Sequence, residues 1–132
     1  MLNKLVIAVV ITGVVLFGLA ACQGGGNQIA VTTTDFKFDP TTWTAPAGQQ
    51  ITLTLINKGA NEHEWVLIKK GMEVSVPFDA DDEDKVFWEI EAQPGETKTE
   101  TFTAPSEAGT YKVVCGISGH IEQGMEGALT VK

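Results

Sequence analysis

Polar and apolar residues alternate with a period of two over most of the chain after residue 28. Ile and Leu alternate with Thr from Ile51 to Leu55, and Thr alternates with charged and aromatic residues from Thr97 to Thr103. The alternating runs are rich in Thr, Val, Ile and aromatic residues, as half-buried strands are. Turn sequences such as Asp39-Pro40 and Pro94-Gly95 separate them. The pattern predicts an all-β fold, an antiparallel β-sandwich of about six to eight short strands.

The amino-terminal part of the chain has a different character. Lys4 is followed by a largely apolar run of 17 residues, Leu5 to Ala21, and then by Cys22, so that the segment closes with Leu19-Ala20-Ala21-Cys22. Such a segment is typical of a secretory signal, and its last four residues resemble the lipobox of bacterial lipoproteins. The resemblance implies that residues 1–21 are a signal peptide, that Cys22 is lipidated, and that 22–28 form the anchored cysteine and a flexible tether. An uncleaved transmembrane anchor is the alternative, although the run is short for a span. Either reading places residues 29–132 outside the cytoplasm, on the periplasmic or outer face of a bacterial membrane.

The remaining length suits one domain with one core. The chain carries a net charge of −8 and contains no Arg. An acidic chain without Arg is a poor ligand for phosphate backbones, so we expect no nucleic-acid partner. The acidic run at 79–84 is simplest to interpret as a solvated loop. It lacks the Gly and Glu that an EF-hand calcium loop needs. Its other interpretation is a docking patch for a cationic partner, formed by Asp81, Asp82, Glu83 and Asp84.

The candidate chemistry lies in a Gly-rich segment that follows a strand-like run. Cys115, His120 and Met125 are each separated by four residues there, and His63 begins another run in the same parity as Trp65. If Cys22 is lipidated, Cys115 is left unpaired. A lone cysteine in an oxidising compartment is a buried residue, an intermolecular disulfide, a nucleophile or a metal ligand. Each of these residues alone is more often a packing residue, but together they offer four convergent donors.

This donor set selects among metals. A thiolate, two imidazoles and a weak axial thioether form the trigonal type 1 arrangement of copper. Zinc does not usually take Met, and the Cys-x-x-Cys-His pattern of haem attachment is absent. The sequence therefore predicts one copper ion held by His63, Cys115, His120 and Met125. Four ligands leave no open position for a substrate, so we expect a one-electron carrier and no enzyme.

With these residues in place, the chain resembles the cupredoxins, and among them the auracyanin-like small blue-copper proteins. The resemblance implies a Greek-key sandwich with the copper at one end and His120 nearest the surface as the electron exit. Two positions depart from the family. Glu64 stands where many relatives have an asparagine that ties the ligand loops together, and Ser118 stands where relatives often have proline. We hypothesise that the Glu64 carboxylate lowers the reduction potential relative to asparagine.

The expected partner is a redox protein, such as a cytochrome or a membrane electron-transfer complex, that docks weakly on a monomeric carrier. Ile117 and Ile121 flank His120 in sequence and are predicted to form an apolar contact patch, with the acidic run steering the approach. Two alternatives remain open. One is an extracytoplasmic copper-binding or delivery module, and the other is a metal-free interaction domain.

Overall fold

The computed structural model of the protein describes residues 26–132. The predicted signal peptide, Cys22 and the first part of the tether lie outside the described residues. Strand β1 begins at Gln28, the last residue of the predicted tether. Just before it, the side-chain amide of Asn27 donates a hydrogen bond to the carbonyl of Gln50. Between residues 26 and 132, the structure shows no helix with the length and apolar character needed to cross a bilayer.

The described part of the chain forms nine strands and two short 3-10 turns, Ala80–Lys85 and Ile121–Gln123. The all-β prediction is therefore confirmed. The strands are β1 Gln28–Thr34, β2 Lys37–Asp39, β3 Thr42–Ala45, β4 Gln50–Asn57, β5 His63–Ile68, β6 Val86–Ala92, β7 Thr97–Thr103, β8 Gly109–Val114 and β9 Glu126–Val131. They make a four-stranded sheet in the order β2-β1-β4-β7 and a five-stranded sheet in the order β3-β9-β8-β5-β6.

The period-two pattern explains how the two sheets face each other. In β4 the alternate residues Ile51, Leu53 and Leu55 are fully buried, while the threonines between them are half-buried. The opposite sheet contributes Trp65 and Leu67 to the same core. Because successive side chains of a strand point to opposite faces, each run places one apolar row inside the sandwich.

Two strand pairs depart from the antiparallel prediction. β1 pairs in parallel with β4, and β3 pairs in parallel with β9. The reason is that β2 ends at Asp39 in one sheet, whereas β3 begins at Thr42 in the other. The short link between these residues moves the chain from one sheet to the other, so consecutive strands are not always neighbours.

The acidic run is more ordered than a solvated loop. It forms the 3-10 turn Ala80–Lys85, and Asp82 is buried within it. The Asp82 carboxylate accepts hydrogen bonds from the backbone amides of Ser75 and Asp79 and from Lys85 Nζ. The pKa of Asp82 is lowered to about 2, chiefly by the hydrogen bond from Lys85. The prediction that Asp82 belongs to a docking patch is therefore wrong, because its carboxylate is buried and is already paired with Lys85 and two backbone amides.

The strand directions bring chemistry-bearing residues to one end of the sandwich. β1 ends at Thr34, β5 begins at His63 and β8 ends at Val114. As a result, Asp35, His63 and Cys115 lie together. The first residue of β1, Gln28, lies a whole strand away at the opposite end.

Candidate metal centre

Three of the predicted ligands converge at this end of the sandwich. One donor atom each from His63, Cys115 and His120 lies within 4.8 Å of the other two. The Cys115 Sγ atom is 3.2 Å from Nδ1 of His120 and 4.0 Å from Nδ1 of His63. Both rings therefore direct the same nitrogen toward one sulfur. His63 and Cys115 have no accessible surface and His120 is 5% exposed, so water is almost excluded from the cluster.

Local backbone geometry explains how a short loop delivers two donors. The amide of His120 donates to the carbonyl of Ile117, which closes a turn before the histidine. Gly119 and Gly124 adopt φ values of +87° and +86°, a region that residues with a Cβ rarely occupy. These two glycines allow the loop to reverse direction on either side of His120.

Met125, the fourth predicted ligand, is fixed by two backbone hydrogen bonds. Its amide donates to the carbonyl of His120, and its own carbonyl accepts from the amide of Cys115. The Met125 side chain is fully buried in the same core cluster as Cys115. The structure therefore holds Met125 next to the strand end that carries the thiol.

The surroundings set the electrostatics of the donors. Burial raises the pKa of the Cys115 thiol to about 11, even though the backbone amides of Glu64 and Ile117 donate to its sulfur. The amide of Glu64 is 3.4 Å from Sγ. Burial, followed by the neighbouring His63, lowers the pKa of His120. A buried thiol beside two imidazoles is an arrangement that a cation would stabilise, because metal binding displaces the thiol proton.

Two residues that sequence reasoning missed hold the imidazoles from outside. They form the two-residue turn between β1 and β2, Asp35 and Phe36. The Asp35 carboxylate oxygen Oδ1 is 3.3 Å from Nε2 of His63. Phe36 packs edge-on against His120, with ring centroids 5.1 Å apart and planes at 90°. No sequence signal links this turn to the histidines, because the contacts depend on how β1 lies beside the segment before β5.

The backbone of Glu64 contacts the cluster, and its side chain lies against Gly116. Gly116 has no side chain, and a Cβ there would collide with the Glu64 carboxylate. Burial raises the pKa of Glu64 to about 7, and the negative charges of nearby carboxylates contribute to this shift. The carboxylate borders a cavity of about 230 Å³ that other charged residues also line, namely Glu89, Glu91, Lys98 and Glu100. Ser118, the other departure from the family pattern, is exposed in the ligand loop.

The predicted apolar contact patch is only partly present. Ile121 is 7% exposed and packs with Val66, Ile68 and Val114 beneath the loop, so it is not a surface residue. Its 3-10 turn directs the side chain inward. Ile117 is half-buried against the main core. Phe36, which contacts His120, is an exposed apolar side chain at 39%.

The residues present fit a type 1 copper ion. A thiol and two Nδ1 atoms lie together in a buried cluster, and Met125 packs in the same core as the thiol. Soft sulfur and imidazole donors favour copper, and the second nitrogen of one imidazole is supported by a carboxylate, as is common for metal-bound histidines. A second group of three acidic residues, Glu62, Glu64 and Glu91, has only hard oxygen donors and does not fit copper.

Comparison with known proteins decides the family. The profile of the cupredoxin-like domain matches residues 5–131. The chain therefore belongs to the cupredoxin-like family. This cupredoxin is 29% identical to auracyanin-A of Chloroflexus aurantiacus over 159 aligned positions, which cover 97% of this chain and 96% of that protein. It is 30% identical to the copper-resistant cuproprotein CopI of Rubrivivax gelatinosus over 102 positions, which cover 73% of this chain and 60% of CopI.

Solved structures agree with this placement. The crystal structure of dithionite-reduced auracyanin from Roseiflexus castenholzii matches 80% of the cupredoxin and 97% of its own chain, with a TM-score of 0.71 and 30% identity. Reduced rusticyanin matches with a TM-score of 0.57 and 25% identity, covering 80% of both chains. The cofactor of this cupredoxin is one type 1 copper ion, as the sequence predicted. The protein is a blue-copper electron carrier in the general sense of its family.

Proposed function

We propose that this cupredoxin carries single electrons between membrane-associated redox partners outside the cytoplasm, with copper held by His63, Cys115, His120 and Met125. The observation that supports the proposal most strongly is the burial of the donor set. His63 and Cys115 are inaccessible and His120 is nearly so. A closed site leaves no position for a substrate, whereas a catalytic metal keeps one open.

When bound, copper supplies one-electron chemistry by alternating between Cu(I) and Cu(II). The protein's contribution is a site that need not rearrange. The amide of Glu64 donates to the Cys115 sulfur, and β5 and β8 pair directly beside it. Because these contacts belong to the backbone of paired strands, they hold the sulfur in one position whatever the charge of the site.

Of the two histidines, His120 lies nearer the surface, so its ring is the shortest route for an electron out of the site. The exposed aromatic side chain over that ring is Phe36. Exposed carboxylates of the acidic turn, Asp81, Glu83 and Asp84, could steer a basic cytochrome. Steering of this kind weakens with ionic strength, so the association rate should fall as salt rises. A rate that does not change with salt would remove the electrostatic part of the proposal.

The test of electron transfer begins with the full chain and added Cu(II). Intense blue colour, reversible reduction and oxidation of reduced protein by cytochrome c would support the carrier. Cys115→Ser is the matched control, because it replaces the sulfur with an oxygen of similar shape and should abolish the colour. Colourless binding, or blue protein that cannot be cycled, would sink the proposal.

The similarity to CopI, whose name describes a copper-resistant cuproprotein, favours a second candidate, copper binding without an electron shuttle. Delivery requires that the ion leave readily. Transfer of copper from the holoprotein to a competing chelator separates the two functions: release within seconds supports delivery, and retention over hours supports the carrier.

Membrane attachment through Cys22 is a separate part of the proposal, supported by the lipobox-like sequence. Mass spectrometry of the protein extracted from membranes should show a lipidated cysteine at the amino terminus. Cys22→Ala should move the protein from the detergent phase to the aqueous phase. An unmodified, intact leader would instead support a transmembrane anchor.

A further inference from the structure

One two-residue turn, Asp35-Phe36, contacts both imidazoles of the metal centre. Asp35 approaches the outer nitrogen of His63, on the side of the ring opposite Nδ1, which faces the sulfur. Its carboxylate is therefore joined to the copper site through the imidazole and does not touch the other donors. The contact spans 28 residues of sequence between separate strands.

The surrounding backbone is built to hold this carboxylate. The amides of Ala60 and Asn61 donate to the same oxygen of Asp35, at 3.0 and 3.2 Å. Gly59 lies against the contact, and a Cβ there would be 2.5 Å from the Asp35 oxygen and 2.8 Å from His63 Nε2. Only glycine leaves room for the two side chains to meet.

A buried asparagine fixes the segment that supplies these groups. Asn57 is 1% exposed, and its side-chain oxygen accepts from the amide of Gly59 at 2.8 Å. Its side-chain nitrogen donates to the carbonyls of Asn61 and Ala92. The cradle around Asp35 is thus tied to strands of both sheets, so the carboxylate is presented to His63 from a rigid support.

We propose that Asp35 is a positioning residue of the copper site that sets its reduction potential through His63. By accepting a hydrogen bond from Nε2–H, the carboxylate fixes the tautomer in which Nδ1 carries the free lone pair. Its negative charge favours the more positive oxidation state of the site and so lowers the potential. This inference rests on the proposed electron-carrier function, because a potential has meaning only for a site that cycles.

The size of the effect follows from comparable metal sites. Loss of a residue that supports a metal-bound histidine typically lowers metal affinity 10- to 100-fold. The loss should be larger for Cu(II) than for Cu(I), because the carboxylate interacts more strongly with the higher charge. If the loss of affinity is ten times larger for Cu(II) than for Cu(I), the one-electron potential rises by about 59 mV.

The experiment uses three variants of the full chain. Asp35→Asn keeps an oxygen that can accept from Nε2 but removes the charge, and Asp35→Ala removes both. Glu122→Gln is the control, because Glu122 lies near enough to His120 to interact electrostatically and is exposed, so it removes a charge without touching His63. Two measurements are made: the tautomer of His63 in copper-free protein by ¹⁵N NMR, and the midpoint potential of copper-loaded protein.

We expect wild type and Asp35→Asn to keep the Nε2-protonated tautomer of His63, and Asp35→Ala to lose it. Asp35→Asn should raise the midpoint potential by about 59 mV, which corresponds to a tenfold change in the ratio of Cu(II) to Cu(I) affinity. Glu122→Gln should raise it by much less. Equal shifts in these two variants, or a wild-type potential in Asp35→Asn, would overturn the inference while leaving the carrier intact. Wild-type protein that is not blue or does not cycle would instead overturn the proposed function itself.

Discussion

Met125 can stabilise the fold by packing, hold the copper ion, or do both, and two substitutions separate these roles. Met125→Leu keeps nearly the same volume and removes the sulfur, whereas Met125→Ala removes both. The side chain has no accessible surface and packs in the main core cluster. In copper-free protein we therefore expect Met125→Leu to lower the free energy of unfolding by less than about 1.5 kcal/mol. Met125→Ala should lower it by about 2–5 kcal/mol, since it leaves a cavity.

Thermal unfolding followed by circular dichroism measures this difference. A change of 1 kcal/mol shifts Tm by roughly 4 °C or more in a domain of this size, so Met125→Ala should melt at least about 8 °C below wild type. With copper bound, both variants lack the thioether, and both should show an altered visible spectrum and a raised midpoint potential. A Met125→Leu protein with wild-type spectrum and potential would refute the ligand role. An alanine variant as stable as the leucine variant would refute the packing argument.

Three further changes test other parts of the structure. Glu64→Asn should raise the midpoint potential in a redox titration above pH 7, where the Glu64 carboxylate is charged and interacts electrostatically with Cys115; an unchanged or lower potential would contradict this. The folded pKa of Asp82, about 2, lies below its ordinary value of 3.8, so its stabilisation is complete above the ordinary value and is lost as pH falls toward 2. Urea unfolding between pH 5 and 2 should therefore show a steeper loss for wild type than for Asp82→Asn, and parallel curves would count against the assignment. Gly127→Ala places a Cβ 2.7 Å from the ring of Trp43 and should cost roughly 1–3 kcal/mol in denaturant unfolding. Gly26→Ala, whose nearest contact is at 3.6 Å, is the control and should be close to neutral.

The donors of the metal centre could be predicted because their signal is local. Cys115, His120 and Met125 fall within one loop, and the parity of His63 with Trp65 placed it on an inward face. The chemistry of sulfur and imidazole then selected copper. The convergence of three donors within 4.8 Å is what this combination of spacing and parity implied.

The supporting residues could not be predicted, because their roles depend on contacts between distant segments. The approach of Asp35 to His63 requires both the β1–β2 turn and the cradle at residues 57–61. Asp82 was misjudged for a related reason. A run of charges indicates solvent exposure, and the sequence does not reveal that two amides and a lysine converge on one of its carboxylates. Parallel pairing of β1 with β4 likewise depends on where the chain crosses between sheets.

The direction of β1 has a consequence for how far the redox group reaches. Its seven residues run from Gln28 at one end of the sandwich to Thr34 beside the metal centre, a distance of roughly 20 Å. The proposed lipid attachment at Cys22 would therefore join the domain at the end of the sandwich opposite the metal centre. If the domain stands upright on that attachment, a redox partner would meet the metal centre about one strand length further from the membrane.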